Sequence, residues 1–395
     1  MENIRLAVYT MHPIQYHAPI FRELAKVTEL EMTVLYADTL GLEEEYIPEF
    51  KTIIKWDIPL LEGYTYRFFR NYTINRLGGF FSRFNPGMFT HILTERYDVI
   101  LIHGYQTFSA WLVFFAAKLT RTKVIFRGEV IPKEEKLNFK RRLASRLAKL
   151  FLALSDAVMY SCTGNKAYWK ELDVPKEKMF FIPCAVDNDF FRHQQEHYLP
   201  QREKIRRDLG IDPDDFVILF SARFTARKRP LDLINAVARI NHKKIVLFFV
   251  GEGPERENME RMVEQNSLRA VFTGFVNQRE LPRYYTLADV FAIVSSYDAS
   301  PKALNEAMNF AIPVISSECV GTARDLVHEG VNGFVVKVGD RGAIARVIDL
   351  LNRKKELARK MGYKSANIVS SWSLENDVKG VLEAVRYVLN SKDKK

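Results

Sequence analysis

Short, almost wholly apolar runs recur along this chain in two sets, with helix-forming stretches between them. The first set is Leu6–Tyr9, Met32–Tyr36, Val99–Ile102, Val124–Phe126, Ala157–Tyr160 and Met179–Ile182. The second is Val217–Phe220, Ile245–Val250, Val271–Phe272, Val290–Ile293, Pro313–Ser316 and Gly333–Val336. Runs this brief and continuous predict strands buried on both faces, and segments such as Ile20–Lys26 and Ser109–Leu119 predict the helices that cover them. Strand–helix alternation is the pattern of an α/β protein with doubly wound parallel sheets, and its repetition predicts two similar units. A chain of 395 residues is also too long for one core and fits two domains of about 190 residues. The domains are read as 1–190 and 191–370, with the boundary inside the charged, Pro200-containing stretch Asp187–Asp208.

Several classes are excluded early. Ile4–Thr10 reads as a first strand starting close to Met1, with no basic segment followed by an apolar core and cleavage site, so no leader is expected. The longest apolar run, Phe108–Ala117, is closed by Lys118 and is too short to span a bilayer. A cytoplasmic location is the expectation. Cys162, Cys184 and Cys319 lie far apart without metal-ligand spacing and read as reduced, structural cysteines.

Chemistry concentrates in the second half. Asp298 and Glu306 flank the start of a predicted helix in which Ser300 is the N-cap and Pro301 the first helical residue. Such a terminus offers backbone N–H groups to a diphosphate. Asp298 could reach sugar hydroxyls beyond it, and Glu306 could accept both hydroxyls of a ribose. A capped amphipathic helix with no ligand is the competing reading. Upstream, Ser221–Pro230 follows a strand and opens a helix, which places Arg223 and Lys228 in a loop at a strand's carboxyl end. Cations in such a loop face the ligand crevice of an open parallel sheet and suit a diphosphate; a solvated basic loop is the alternative.

These segments, with Val250-Gly-Glu-Gly-Pro254, Phe272-Thr-Gly-Phe-Val276, Leu287–Ser296 and Gly330-Val-Asn-Gly-Phe334, occur in order and at family spacing. Together they resemble the retaining glycosyltransferases of the family 4 type (glycosyltransferase group 1) over nearly the whole chain. The resemblance implies a GT-B fold, with two Rossmann-like domains facing a deep cleft, and a last helix, Leu374–Leu389 within 371–395, crossing back to the first domain. It also implies donor on the second domain and acceptor on the first. By the same resemblance Arg223, Lys228, Asp298 and Glu306 are the catalytic group, and Ser300, Pro301, Lys302, Ala303, Gly251 and Val276 lie on the donor side.

Three departures from the family's common pattern fall at expected site positions. The first-strand loop is Met11-His-Pro-Ile-Gln-Tyr-His-Ala-Pro19 where many relatives have paired glycines, so His12 or Gln15 could supply polar donors instead. After Val124–Phe126, where many relatives place a histidine, the chain has Arg127-Gly-Glu129. Arg127 cannot act as a base but could hold a phosphate or carboxylate, with Glu129 orienting it or binding acceptor hydroxyls; a structural Arg–Glu pair is the alternative. His103 ends another strand and could line the acceptor side. Asp298 stands where glutamate is usual, which leaves the donor sugar open.

The implied reaction moves a sugar from a nucleotide diphospho-sugar, UDP- or GDP-linked, to a hydroxyl of a glycan or lipid-linked acceptor, with retention and without a metal or other cofactor. Surface polysaccharide or glycoconjugate synthesis would be its setting. The formal net charge of +10 is concentrated in Lys136–Lys149, which holds Lys136, Lys140, Arg141, Arg142, Arg146 and Lys149 without an acidic residue. On a helix, Leu143, Leu147, Leu150 and Phe151 would form an apolar arc, so 136–151 could rest on anionic membrane at its inner face, or pack its apolar side inward. Nucleic acid is not expected, because no recognition motif accompanies the charge. A sugar-nucleotide epimerase or phosphorylase of the same architecture, and a non-catalytic basic binding protein, are the rival readings.

Overall fold

The computed structural model describes residues 3–47, 52–73, 79–132, 139–240 and 243–390. In chain order its strands are β1 (Ile4–Thr10), β2 (Leu30–Tyr36), β3 (Glu45–Ile47), β4 (Thr52–Ile54), β5 (Thr65–Phe68), β6 (Val99–His103), β7 (Lys123–Arg127), β8 (Ala157–Tyr160), β9 (Met179–Phe181), β10 (Phe216–Ser221), β11 (Ile245–Val250), β12 (Arg269–Phe272), β13 (Val290–Ile293), β14 (Val314–Ser317) and β15 (Gly333–Val336). The chain forms two compact units, one of residues 1–44, 59–184 and 374–395, the other of 45–58 and 185–373.

The first unit is built on a parallel sheet in the order β5-β2-β1-β6-β7-β8-β9. Side chains alternate along each strand, so the two faces carry different cores. Ala7, Tyr9, Ile100, Ile102, Val124 and Phe126 face the helices Pro86–Glu95, Phe108–Leu119 and Phe139–Leu154. Leu6, Val8, Val34, Leu101 and Met159 face the helix Ala18–Ala25 and the last helix, Leu374–Asn390. That last helix therefore covers apolar surface that would otherwise be bare, with Val381, Val385 and Val388 each contributing about 1.5–3 kcal/mol. Gly380 sets its approach: a Cβ there would lie 2.0 Å from the Phe181 carbonyl oxygen.

The second unit has the parallel order β12-β11-β10-β13-β14-β15. Numbered within the sheet this is the 3-2-1-4-5-6 order of a doubly wound fold, whose crevice lies where the winding reverses. Here that point is between β10 and β13, and in the first unit between β1 and β6.

Three sequence readings change. The boundary falls between Cys184 and Ala185, ahead of Asp187–Asp208, because that polar stretch is itself helical over Asn188–Tyr198 and Arg202–Asp208. Asp187 caps the first of these helices by accepting from Phe190 N at 3.0 Å, so charge density marked a cap and solvated faces and not a linker. The segment 45–58, read as part of the first domain, joins the second unit. Its β3–β4 hairpin leads to Lys55, whose carbonyl accepts from Asn277 Nδ2 at 2.6 Å, and to Asp57, which accepts from Arg279 N at 3.0 Å. β5 is an edge strand of largely exposed residues, so its short polar sequence lacks the apolar signature of the others.

Candidate functional site

In the second unit, β10 ends at Ser221 and the chain passes Arg223 into a single 3-10 turn, Ala226–Lys228, before the helix Pro230–Val237. The loop is held from beneath by the turn after β11. Phe224 N donates to the Glu252 carbonyl at 2.9 Å and Glu255 N to the Phe224 carbonyl at 2.9 Å. Gly251 and Gly253 permit this contact. Their φ values are +135° and +154°, and a Cβ would lie 2.1 Å from the Ala222 oxygen and 2.6 Å from the Phe224 oxygen respectively. Gly251 thus supports the cationic loop through backbone packing.

The loop after β13 is tied to the same place. Ser296 N donates to the Arg227 carbonyl at 2.9 Å, and Arg227 Nη1 donates to the Tyr297 carbonyl at 2.7 Å. Asp298 in turn is joined to the loop after β14: its N–H donates to the Cys319 carbonyl at 3.2 Å, and Gly321 N donates to its carbonyl at 2.7 Å. Three loops at adjacent strand ends form one hydrogen-bonded rim.

Within that rim the Lys228 ammonium donates to the Asp298 carboxylate, with side chains only 12% and 11% exposed. Burial pulls the Lys228 pKa below its ordinary value, and Asp298 opposes the shift. Burial also lowers the Arg223 pKa, with Arg227 adding repulsion and Asp298 opposing it. The rim is therefore a partly desolvated cluster of positive charge against one carboxylate.

The helix that follows differs from expectation. It runs Lys302–Asn309; Pro301 is its N-cap, and neither Pro301 nor Ser300 caps it through a side chain. Ser300 Oγ instead accepts from Lys302 Nζ at 3.2 Å. Leu304 N donates to the Pro301 carbonyl at 3.2 Å within this first turn. Ala303, in the first turn, is half-buried. Glu306, read as an open acceptor for a ribose, is 1% exposed, and its Oε2 accepts from Tyr285 OH at 2.7 Å. Val276 is half-buried in the loop after β12.

Sequence reasoning did not single out Thr225, Ser295 or Thr322. Their hydroxyls are buried without a hydrogen-bond partner among the described residues. They follow β10, β13 and β14, the strand ends whose loops form the rim. Buried polar atoms of this kind call for a partner such as water or a polar ligand. Position after a strand was the signal available for all three.

In the first unit, the carboxyl ends of β1, β6 and β7 bring together a different set. His12 Nδ1 donates to the Pro13 carbonyl at 3.0 Å, and burial lowers its pKa. Gln15 Oε1 and His103 Nε2 are buried with no hydrogen-bond partner among the described residues. The His103 ring meets His17 edge-on at 4.8 Å, and burial, Arg127 and His17 together push its pKa well below the usual value. It is a neutral imidazole at physiological pH.

Arg127 forms the structural pair with Glu129, at 3.3 Å, and also donates to Cys184 Sγ at 2.6 Å. Cys184 Sγ donates to Glu129 Oε1 at 2.7 Å, and Cys184 N to Asp377 Oδ1 at 2.7 Å. Cys184 and Asp377 were missed as members of this network, though Cys184's position after β9 placed it at the correct sheet edge. The Sγ, the Glu129 carboxylate and a His17 ring nitrogen lie within 4.8 Å of one another, a spacing open to a metal ion. The Arg127 guanidinium already lies against two of those ligands, so a fixed cation occupies the electrostatic place of a dication. The donor set fits a divalent metal poorly.

For the basic segment, Lys136 and the side chains of Lys140, Arg141, Arg142 and Leu143 lie outside the described residues. The backbone is helical over Phe139–Leu154. Phe151 is buried, whereas Leu147 and Leu150 are exposed, so the predicted apolar arc is split between interior and surface. Among the described residues no helix is long and apolar enough to cross a membrane.

Comparison with known proteins agrees with this architecture. Residues 201–368 match the family model "Glycosyl transferases group 1", and residues 67–185 match "Glycosyl transferase 4-like domain". The chain is 30% identical over 158 residues to the lipopolysaccharide core biosynthesis glycosyltransferase LpsD of Rhizobium meliloti, covering 40% of this chain and 45% of that protein. It is 35% identical over 158 residues to the uncharacterized glycosyltransferase MJ1607 of Methanocaldococcus jannaschii, covering 38% and 40%. The alignments span less than half the length of these curated relatives. The crystal structure of Anabaena Alr3699/HepE in complex with UDP and glucose superposes with a TM-score of 0.73 at 18% identity, covering 97% of this chain and all of that one. With matched segments in both units and this shared two-sheet fold, the chain belongs to the group 1 glycosyltransferases and has the GT-B architecture.

Proposed function

We propose that the protein is a retaining hexosyltransferase that uses a nucleotide diphospho-sugar and a hydroxyl acceptor. The observation that carries this reading is the Arg223–Lys228–Asp298 rim at the winding reversal of the second sheet, where a diphosphate has both cations to meet it. The Anabaena neighbour, which holds UDP and glucose, favours a UDP-sugar over a GDP-sugar.

In this reading Lys228 and Arg223 neutralise charge that grows on the diphosphate as the bond from the anomeric carbon to the leaving phosphate oxygen breaks. The acceptor oxygen bonds to the same carbon on the same face, and its proton passes to the departing phosphate oxygen. Each preorganised cation is worth about 2.7–4 kcal/mol of transition-state stabilisation. That supply of fixed positive charge is why no divalent metal is proposed for the step. Asp298 releases Lys228 to the diphosphate and takes a sugar hydroxyl in exchange. The Glu306–Tyr285 pair would meet the nucleoside from inside the helix. His12, Gln15, His103, Arg127 and Glu129 would line the acceptor side, where buried Gln15 and His103 atoms await polar partners. A glycan or lipid-linked hydroxyl is the acceptor class, in surface polysaccharide or glycoconjugate synthesis, and the basic segment 136–151 would contact anionic membrane.

Thermal stabilisation across UDP-, GDP-, ADP- and CMP-sugars, with a chelator present, tests the donor reading. A shift with one nucleotide is the expected result, and loss of that shift in Lys228→Met ties it to the rim. No shift with any of them, with or without divalent metal, refutes it. An epimerase would convert the sugar nucleotide without acceptor and a phosphorylase would require inorganic phosphate, so product analysis by NMR separates these reactions and reports the anomeric configuration.

A further inference from the structure

The second unit holds a cavity of about 260 Å³ at the end of its sheet opposite the cationic rim. Its floor lies where three strands begin: Phe216 opens β10, Asp289 immediately precedes β13 and Pro313 immediately precedes β14. The rim stands at the other ends of the same strands, about 17 Å away along β10. The walls are fixed by packing. Gly362 seats the helix Lys355–Val369 on the turn before β14, since a Cβ there would lie 1.8 Å from the Ala311 carbonyl oxygen. Ala311 lines the cavity at a φ of +53°, a conformation an alanine keeps only where its surroundings impose it. Beside it the Phe310 ring stacks on Tyr285, with centroids 5.4 Å apart.

The charged lining is unbalanced. Arg202, Arg206, Lys355 and Arg359 face Asp215 and Asp289. Asp289 is shared, with Oδ1 accepting from Arg202 at 2.7 Å and Oδ2 from Arg206 at 2.8 Å. Asp215 is taken at 2.6 Å by Arg269, which does not line the cavity. Lys355 Nζ donates at 2.7 Å to the neutral Asp214 carbonyl and has no carboxylate partner among the described residues. Arg359 reaches only Glu356, at 3.8 Å, and both are largely exposed. After these pairings Lys355 and one charge of the Arg202–Arg206 pair stand without a carboxylate. Burial lowers the Arg206 pKa; Asp289 opposes the shift and Arg202 adds repulsion. Arg206 spends its donors on Asp289 and on the Leu287 and Asp215 carbonyls, so it contributes field, and contacts with a ligand fall to Arg202, Lys355 and Arg359.

We propose that this cavity binds a small phosphate monoester, its phosphate held by Arg202, Lys355 and Arg359 and its body against Phe310, Ala311 and the exposed Tyr363 ring. A phosphate monoester carries about −1.5 to −2 charge near neutral pH, which answers the two uncompensated cations, and its oxygens suit guanidinium forks. The volume is below the roughly 300–1,000 Å³ of sites for drug-sized ligands, so the ester's body is no larger than about one sugar ring. This site is separate from the donor rim and does not rest on the donor reading.

Isothermal titration of the purified full chain with glucose 6-phosphate and with inorganic phosphate, at fixed ionic strength, tests it. Wild type should bind the ester more tightly than inorganic phosphate. Lys355→Met and Arg359→Met, both at exposed positions, should each weaken ester binding about tenfold while keeping the thermal shift with UDP-sugar. Lys228→Met should bind the ester as wild type does, because its charge belongs to the rim. A wild type that binds neither probe overturns the proposal, as does wild-type affinity in Lys355→Met. Loss of ester binding in Lys228→Met also overturns it, by assigning the phosphate to the rim, and inorganic phosphate bound as tightly as the ester overturns the ester assignment. A UDP-sugar response without ester binding defeats this inference alone, whereas ester binding without any nucleotide-sugar response defeats the donor reading alone.

Discussion

The Lys228–Asp298 pair makes a prediction about stability that donor binding should reverse. Asp298→Asn keeps the shape of the side chain but leaves the Lys228 ammonium in a place where it is only 12% exposed. Removing one partner of a buried ion pair costs about 3–5 kcal/mol. The second unit has just over 200 residues, counted from 45–58 and 185–373, and a domain of that size loses roughly 2–4 °C of Tm per kcal/mol. With residual solvent access favouring the lower end, Asp298→Asn should melt about 6–12 °C below wild type by calorimetry. Lys228→Met strands the opposite charge and should cost a similar amount. The double variant removes both charges and should recover much of the loss, the coupling expected of direct partners.

A nucleotide then discriminates between a structural pair and a donor site. In wild type, a diphosphate must compete with Asp298 for Lys228; in Asp298→Asn it meets an unpaired cation. UDP should therefore raise the Tm of Asp298→Asn by more than it raises wild type, while turnover falls because the carboxylate no longer takes a sugar hydroxyl. A Tm unchanged in the single variants would refute the electrostatic argument. A smaller UDP response in Asp298→Asn than in wild type would show that the pair is structural and that the diphosphate binds elsewhere.

Other consequences can be measured alongside. Burial lowers the Lys228 pKa, so the ammonium is lost as pH rises through a value below that of an ordinary lysine; donor affinity should fall over that alkaline window, and Lys228→Arg should move the fall upward. The stability sign is opposite: between the lowered folded pKa and the unfolded one the unfolded chain holds more protons, so this residue's contribution to stability rises with pH. Glu306→Gln preserves volume and can still accept from Tyr285 OH, so it should keep its Tm and lose donor affinity; unaltered kinetics would make Glu306 purely structural. Gly251→Ala places a Cβ 2.1 Å from the Ala222 oxygen at a φ of +135° and should cost at least about 1–3 kcal/mol together with the UDP response, both visible in one thermal-shift experiment. Gly380→Ala should destabilise the first unit by lifting the last helix off β9, with faster amide exchange in Leu374–Asn390 as its mark and an intact UDP response.

The sheets were legible because strands buried on both faces have to be apolar, and no other constraint acts as strongly on a run of four to six residues. Ile245–Val250 could hardly be anything else, since all six residues are buried. Legibility failed where burial did not dictate residue type. β5 is exposed, and the β3–β4 hairpin pairs only within itself and joins the second unit through loop contacts far along the chain, which local pattern does not encode. Ser300 illustrates a closer miss: the Ser-Pro signal for a helix start was sound to within one or two residues, but Lys302 took the hydroxyl that would have capped it. Asp298 and Lys228 were separately visible as loop residues. Their pairing was not, because 70 positions and three intervening strands, β11 to β13, separate them.

The two units share a winding pattern yet place opposite chemistry at its reversal. At the β10–β13 reversal stand Arg223, Arg227 and Lys228 against the single carboxylate of Asp298. At the β1–β6 reversal, burial keeps the groups neutral: His103 is driven well below its usual pKa, His12 is lowered, and the Tyr9 phenol, held by Thr107 at 2.8 Å, is pushed up to about 12. Arg127, the fixed charge nearby, is matched by Glu129 and engaged by Cys184. In the proposed reaction the first rim would meet the charge that develops, and the second would orient uncharged hydroxyls, whose recognition needs donors and acceptors and no net field. If the acceptor were itself anionic, Arg127 would have to leave Glu129 and Cys184 to meet it, at the cost of breaking a buried network. Arg127→Lys, which cannot reproduce the planar fork, should therefore lower stability and acceptor affinity while leaving the UDP-induced thermal shift intact.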